Sequence, residues 1–341
     1  MGTKLPIGIQ SFEKIRTDDF LYVDKTEYIY KLVHNNIPYF LSRPRRFGKS
    51  LLLSTFKAYW EGKRELFNGL AIEGLDIDNS DSWNSYPVFY MDFNGQNYSD
   101  TSIESVIDGM FKKWESEYGE TREDASFSDR FEQLIVSAEK KTGRRVVILV
   151  DEYDKALLET SEDKGRQEHI KSVFKGLFGV LKKADEHLQF VFISGVTKFH
   201  KVSIFSDLNQ LRDISLSPEF SGICGVTEEE LFANFGENLN RLASENDMSM
   251  DECVAKLRDT YDGYHFGDSK IGVYNPFSLL NSLEDNDFSS YWFTTGTPSF
   301  LVKTLRAMCF DVSKFSTNNI YVGENNLKDY SGDGDDIIPL F

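Results

Sequence analysis

With 341 residues, 40% of them hydrophobic and 14% aromatic, the chain can bury a large core, and its length fits about two domains rather than a disordered polymer. Lys and Arg number 38 against 55 Asp and Glu; the net charge of −17 repels nucleic acid at long range, so any DNA contact must be local. Cys224, Cys253 and Cys309 are scattered without Cys-x-x-Cys spacing, His34, His169, His187, His200 and His265 are equally dispersed, and no apolar run approaches the ~18 residues of a membrane span. Disulfides, a zinc cluster and a membrane anchor are therefore not expected, no signal-peptide core is present, and the expected location is cytoplasmic.

In chain order, an extended segment is expected from Leu5 to Tyr22, then a helix near Thr26 to His34. Ile37-Pro-Tyr-Phe-Leu-Ser42 reads as a short apolar strand that runs into Arg43-Pro44-Arg45-Arg46-Phe47-Gly48-Lys49-Ser50-Leu51, a turn and a helix start. In a phosphate-binding loop of the form G-x-x-x-x-G-K-[ST] (Walker A), successive backbone N–H groups and the helix N-terminus face the phosphates. The lysine and the hydroxyl serve the outer phosphates and magnesium. Gly48, Lys49 and Ser50 satisfy the second half of that pattern, while Arg43 stands where its first glycine belongs. A helix is expected from Ser50 toward Trp60, and Pro87 to Phe93 forms the next strand, closing at Asn94-Gly95. Residues 101 to 141 read as helical, with Ile103, Val106, Ile107, Met110 and Phe111 at helical spacing.

Arg144-Arg-Val-Val-Ile-Leu-Val-Asp151-Glu152-Tyr-Asp154 is a buried-strand run ending in adjacent carboxylates, as a Walker B segment does. Phosphoryl transfer needs an acid to hold magnesium, here Asp151, and a group to orient the attacking water, here Glu152. The alternative is that the two acids merely open a solvated helix. An amphipathic helix follows from Gln167 to Asp185, then a fourth strand from Leu188 to Gly195. Strands alternating with helices imply a parallel, doubly wound α/β sheet whose ligands bind beyond the strand C-termini. Ser194 and Thr197, at the end of the fourth strand, are placed to sense a γ-phosphate or its water, and equally to serve as turn hydroxyls.

Beyond residue 213, Ser221 to Val226 reads as a short last strand, and Thr227-Glu-Glu-Glu230 fits a capping box opening a helical stretch from 227 to 262, stopped by Asp262-Gly263. The aromatic-rich remainder reads as a small helical or winged-helix-like module. The expected partition is an ATPase core over 1–226, the module over 227–330, and the start of a truncated C-terminal region over 331–341.

Leu5-Pro-Ile-Gly-Ile-Gln-Ser-Phe-Glu-Lys-Ile15, Tyr22-Val-Asp-Lys-Thr26, Arg43 to Ser50, Asp151-Glu-Tyr-Asp154, Tyr274-Asn-Pro-Phe-Ser278 and the Trp292 to Pro298 stretch together resemble the AAA-ATPase-like family of bacterial proteins. Arg43 in place of glycine is a trait of that family. The resemblance implies a P-loop NTPase core of the additional-strand type, commonly followed by a PD-(D/E)XK nuclease-like domain; with the sequence running to Asp333-Gly-Asp-Asp-Ile-Ile-Pro-Leu-Phe341, that domain is not expected within these 341 residues. The triplets Glu61-Gly-Lys63 and Glu139-Lys-Lys141 lack the strand context of a nuclease site.

The expected cofactors are ATP and Mg2+, with ATP favoured over GTP because no Asn-Lys-x-Asp-type guanine reader is seen. In this scheme Gly48 and the loop amides cradle the phosphates, Lys49 bridges the β- and γ-phosphates, Ser50 ligates magnesium, Asp151 supports it from behind and Glu152 polarises water. One of Arg43, Arg45 and Arg46 meets a phosphate while the others pair with acids such as Asp154 or Glu152, or all three are solvated; Arg212 is a weaker finger in trans. Three functions stay open: an ATPase switch for an attached or partner effector, a nucleotide-binding regulator with little hydrolysis, and a nucleic-acid-processing factor using the winged-helix-like tail, which Lys198-Phe-His-Lys201 and the arginine clusters permit and the net charge of −17 disfavours. Homo-oligomerisation is left open as well.

Overall fold

The computed structural model describes residues 4–291, apart from 36, 77–81, 123–124, 198–204, 206–207, 209, 262, 268 and 270. The Lys198 to Lys201 cluster, the Trp292 to Pro298 stretch and the segments expected beyond it lie outside the described residues.

The elements are α1 (Phe12–Thr17), α2 (Thr26–Val33), β1 (Tyr39–Ser42), α3 (Lys49–Trp60), α4 (Ala71–Leu75), β2 (Val88–Asp92), α5 (Ile103–Tyr118), α6 (Phe127–Thr142), β3 (Val146–Asp151), α7 (Lys155–Glu159), α8 (Lys164–Lys183) and β4 (Leu188–Gly195). They continue with β5 (Arg212–Asp213), β6 (Val226–Thr227), α9 (Glu228–Glu245), α10 (Met250–Tyr261), β7 (Tyr264–His265), β8 (Gly272–Tyr274) and α11 (Pro276–Asp285). The expected extended N-terminal segment contains α1, because the Ser11 side chain accepts the Lys14 N–H and the helix buries Phe12 and Ile15. The helical stretch from 101 to 141 is two helices: Gly119, at φ 117°, ends α5 and Ser126 caps α6. The stretch from 227 to 262 likewise divides, with left-handed Asp247 between α9 and α10. The short strand expected over Ser221 to Val226 lies at Val226–Thr227, after a 3-10 turn over Pro218–Phe220, and it is not the last, because β7 and β8 follow it.

The described residues group into two compact units, each assembled from separate segments: those within 4–36, 45–85 and 213–291 in one, and those within 37–44 and 86–212 in the other. The second contains the main sheet, in the order β2-β3-β4-β1-β5. Its β1–β4, β3–β4 and β2–β3 pairs are all parallel. Every residue of β3 is buried, the continuous apolar pattern of a strand covered on both faces. Around it α5, α6 and α8 supply Ile107, Phe111, Leu134, Phe174 and Leu177, and Trp114 stacks on Phe89 with ring centroids 4.3 Å apart.

The first unit packs α9, α10 and α11 around Leu231, Phe235, Leu239, Leu257 and Leu279, beside a three-stranded antiparallel sheet ordered β6-β8-β7. The expected capping box is present: the Thr227 hydroxyl accepts the Glu230 N–H, and the Glu230 carboxylate accepts the Thr227 N–H at 2.8 Å. Glu230 also receives the Lys25 ammonium at 2.6 Å, which ties α9 to the chain ahead of α2.

Candidate functional site

The turn between β1 and α3 is built from backbone conformations that most side chains resist. Gly48 caps α3 at φ 92°, and a Cβ added there would meet nothing within 4 Å, so glycine is needed for the dihedral and not for space. Two residues earlier Arg46 is also left-handed, at φ 66°. Its guanidinium lies 4.1 Å from the centre of the Phe277 ring, and burial first, then the charge of Arg45, depresses its pKa. Phe47 is buried in T-shaped contact with the rings of Tyr264 and Phe266, and its carbonyl accepts the Gly225 N–H at 3.1 Å. Pro44, Arg45, Ser50 and Leu51 are half-buried, whereas Lys49, the first residue of α3, is only 4% exposed.

Arg43 is 1% exposed, which removes it from the solvated-arginine alternative. Its N–H donates to the Gly195 carbonyl at 3.2 Å, and its Nη1 donates to Ser42 O at 2.9 Å. The first residue of the turn is thereby fixed to the end of β4.

On the neighbouring ladder β3 ends at Asp151, 2% exposed. Ser194 Oγ donates to its Oδ1 at 2.7 Å and Tyr90 Oη to its Oδ2 at 3.2 Å. Both described donors are neutral hydroxyls, which orient a buried carboxylate without balancing its charge. Glu152 follows, half-buried and in the left-handed region at φ 49°. A non-glycine residue held there is a strained position of the kind that clusters at functional sites.

Asp154 is fully buried and organises the exit of β4: its Oδ2 accepts the N–H of Val196 at 2.9 Å and of Thr197 at 2.7 Å. Tyr153 adds two bonds, from its N–H to Ser194 O at 3.2 Å and from its hydroxyl to Thr197 O at 3.0 Å. The packing leaves no room at Gly195, where a Cβ would come within 2.7 Å of the Tyr153 ring. Ser194 therefore bonds an acid directly, whereas Thr197 is held through its backbone.

An apolar cavity of about 90 Å³ opens in the first unit beside the turn. Phe47, Gly48, Leu51 and Leu52 form one wall, with Tyr22, Val23, Cys224, Val226, Pro276 and Leu280 among the others. At roughly 10–15 Å³ per water-sized occupant, that space takes a group of several heavy atoms. Lys25 also lines it, and all three of its N–H groups are engaged, by Gly222 O at 2.7 Å and by both Glu230 oxygens.

Residues 6–205 match the AAA-ATPase-like family, described as predicted AAA-ATPase. The chain belongs to this family. It is also 40% identical over 304 residues to a protein of Azotobacter chroococcum mcd 1 described as an uncharacterized protein in the vnfD 5'region. That alignment covers 89% of this chain and 56% of the relative, so the chain spans little more than half of the relative's length. No solved structure matches.

Membership in a predicted ATPase family raises the question of magnesium. Among the described residues no group of three or more His, Cys, Asp or Glu side chains is placed to hold a metal ion. Magnesium accompanying a nucleotide is bound through one or two carboxylates, phosphate oxygens and water rather than in an all-protein cage, so one buried carboxylate with neutral hydroxyl partners fits it. Among the described residues no helix is long and apolar enough to cross a membrane.

Sequence reasoning missed Tyr90, which sits mid-strand in an aromatic run and looks like core. The signal was its parity: Tyr90 and Asp92 alternate with buried Phe89 and Met91, so both belong to the face opposite the packed one. Asp154 was seen only as a partner for an arginine, while its bonds to Val196 and Thr197 join segments distant in sequence.

Proposed function

We propose that the chain binds Mg-ATP and hydrolyses it slowly, acting as a nucleotide-controlled switch for an attached or partner effector. The observation that carries the proposal is the parallel order β3-β4-β1: the strand that feeds the turn and the strand that ends in Asp151, just ahead of Glu152, flank β4 and point the same way. Their C-terminal ends share one edge of the sheet, where open α/β sheets take their ligands. That β4 lies between them favours the additional-strand type of P-loop fold.

In this reading the left-handed turn at Gly48 and the start of α3 present amides to the phosphates, with Lys49 as the cation for the outer phosphates. Ser50 and Asp151 would hold magnesium, which when bound would neutralise charge on the phosphate oxygens. Glu152 accepts a proton from water and aligns it, and Ser194 keeps Asp151 oriented. The apolar cavity beside Phe47 and Gly48 accommodates the base, whose flat faces suit Leu51, Leu52 and Val226 better than water does. The helices α9 to α11 and the β6-β8-β7 sheet support reading this region as a winged-helix-like module, through which nucleotide state would reach an effector.

Binding with little turnover is the second reading, favoured by Arg43 in place of the first loop glycine. Titration with a fluorescent ATP analogue and magnesium tests the binding common to both. Wild type should saturate and Lys49→Ala should lose at least tenfold in affinity; equal binding by the two proteins would remove the turn from the site.

A further inference from the structure

We propose that Tyr90 is a positioning residue for the magnesium-supporting carboxylate of Asp151, acting as one jaw of a two-hydroxyl clamp whose other jaw is Ser194. The inference rests on the nucleotide reading above and adds a residue that neither the loop pattern nor the acid pair contains.

The clamp follows from strand order. β3 lies between β2 and β4, so its last residue has a neighbour on each side: Asp92 on β2 is the register partner of Asp151, and Val150 pairs with Ile193 just before Ser194. Tyr90 lies two residues before Asp92 and so shares its face. A tyrosine is long enough to pass alongside the strand end, and its hydroxyl reaches Oδ2 at 3.2 Å while Ser194 Oγ reaches Oδ1 at 2.7 Å from the other side.

Each carboxylate oxygen is thus held by a hydroxyl from a different flanking strand, which fixes both the torsion of the carboxylate and the direction of its remaining lone pairs. Second-partner bonds of this kind set ligand orientation at metal sites, and their loss weakens metal binding. A phenylalanine at position 90 would fill the same space and leave Oδ2 without its donor.

The test is the magnesium dependence of nucleotide binding, read with a fluorescent, non-hydrolysable ATP analogue in wild type, Tyr90→Phe, Asp151→Asn and the double variant, with melting temperature as the control for folding. Removing one hydrogen bond to a carboxylate should raise the half-saturating magnesium concentration roughly 5- to 20-fold, while binding of the analogue in EDTA stays unchanged. In the Asp151→Asn background Tyr90→Phe should add nothing. A Tyr90→Phe curve superimposable on wild type, or an equal shift with and without the Asp151 carboxylate, would overturn the role of Tyr90 and leave the nucleotide reading intact. Wild-type protein that binds no analogue at any magnesium concentration would overturn both.

Discussion

Glu152→Gly should make the protein slightly more stable and abolish ATP hydrolysis. Glu152 sits at φ 49°, directly after a strand with no exposed residue. Holding a residue with a Cβ in the left-handed region costs roughly 1–2 kcal/mol, and glycine escapes that cost. Glycine loses more chain entropy on folding, which takes back roughly 0.5–1 kcal/mol. The net gain is about 0.5–1 kcal/mol, or about 1–3 °C in melting temperature for a chain of this size. Glu152→Ala is the control, since it removes the carboxylate and keeps the Cβ: it should hydrolyse no better than the glycine variant and melt below it. Scanning calorimetry without nucleotide, paired with phosphate release, reads both effects. A glycine variant that melts no higher than the alanine variant would show that position 152 stores no strain, and one that still hydrolyses ATP would remove Glu152 from the chemistry.

Lys25→Met leaves Glu230 in a largely buried place without its cation, and with the carboxylate side chain still 23% exposed the loss should be about 2–4 kcal/mol by urea unfolding. Lys25→Met with Glu230→Gln, which keeps a capping acceptor for α9, should recover most of that loss; if it recovers none, the pair is not what holds α9. Leu280→Trp should narrow the cavity and lower ATP affinity at least tenfold in calorimetric titration while sparing inorganic tripolyphosphate, and equal losses for both ligands would count against a base compartment there. Asp108 has its pKa lowered by the bond from Lys112 and then by Arg130, so its stabilisation is present above pH ~4 and fades as pH falls through the lowered value. Asp108→Asn should therefore be less stable than wild type near neutral pH and equal to it near pH 2, and a difference that persists at that pH would contradict the assignment.

The elements that carry long apolar runs were legible. β4 was expected from Leu188 to Gly195 and spans those residues, and the Thr227 capping box was read from its spacing. What was not legible depends on single residues that override a pattern. Ser11 starts a helix in a segment of weak periodicity, and Gly119 and Asp247 each interrupt a helical period that otherwise continues. The site divides in the same way. Asp151 and Glu152 follow from the strand run, but the hydroxyl of Tyr90 and the carboxylate of Asp154 become partners of Asp151, Val196 and Thr197 only through strand order, which sequence spacing does not contain. The apolar cavity is still further from the sequence, since its walls come from residues 6–25, 47–52, 223–235 and 276–280.

The proposed function requires that ATP turn over through the turn at Gly48-Lys49-Ser50 and the acid at Glu152. Phosphate release with magnesium and ATP, measured in parallel with analogue binding for wild type, Glu152→Gln and Lys49→Ala, decides it. Wild type should release phosphate slowly, Glu152→Gln should bind without release and Lys49→Ala should do neither; equal rates of release from all three proteins would remove both the turn and the acid from the reaction.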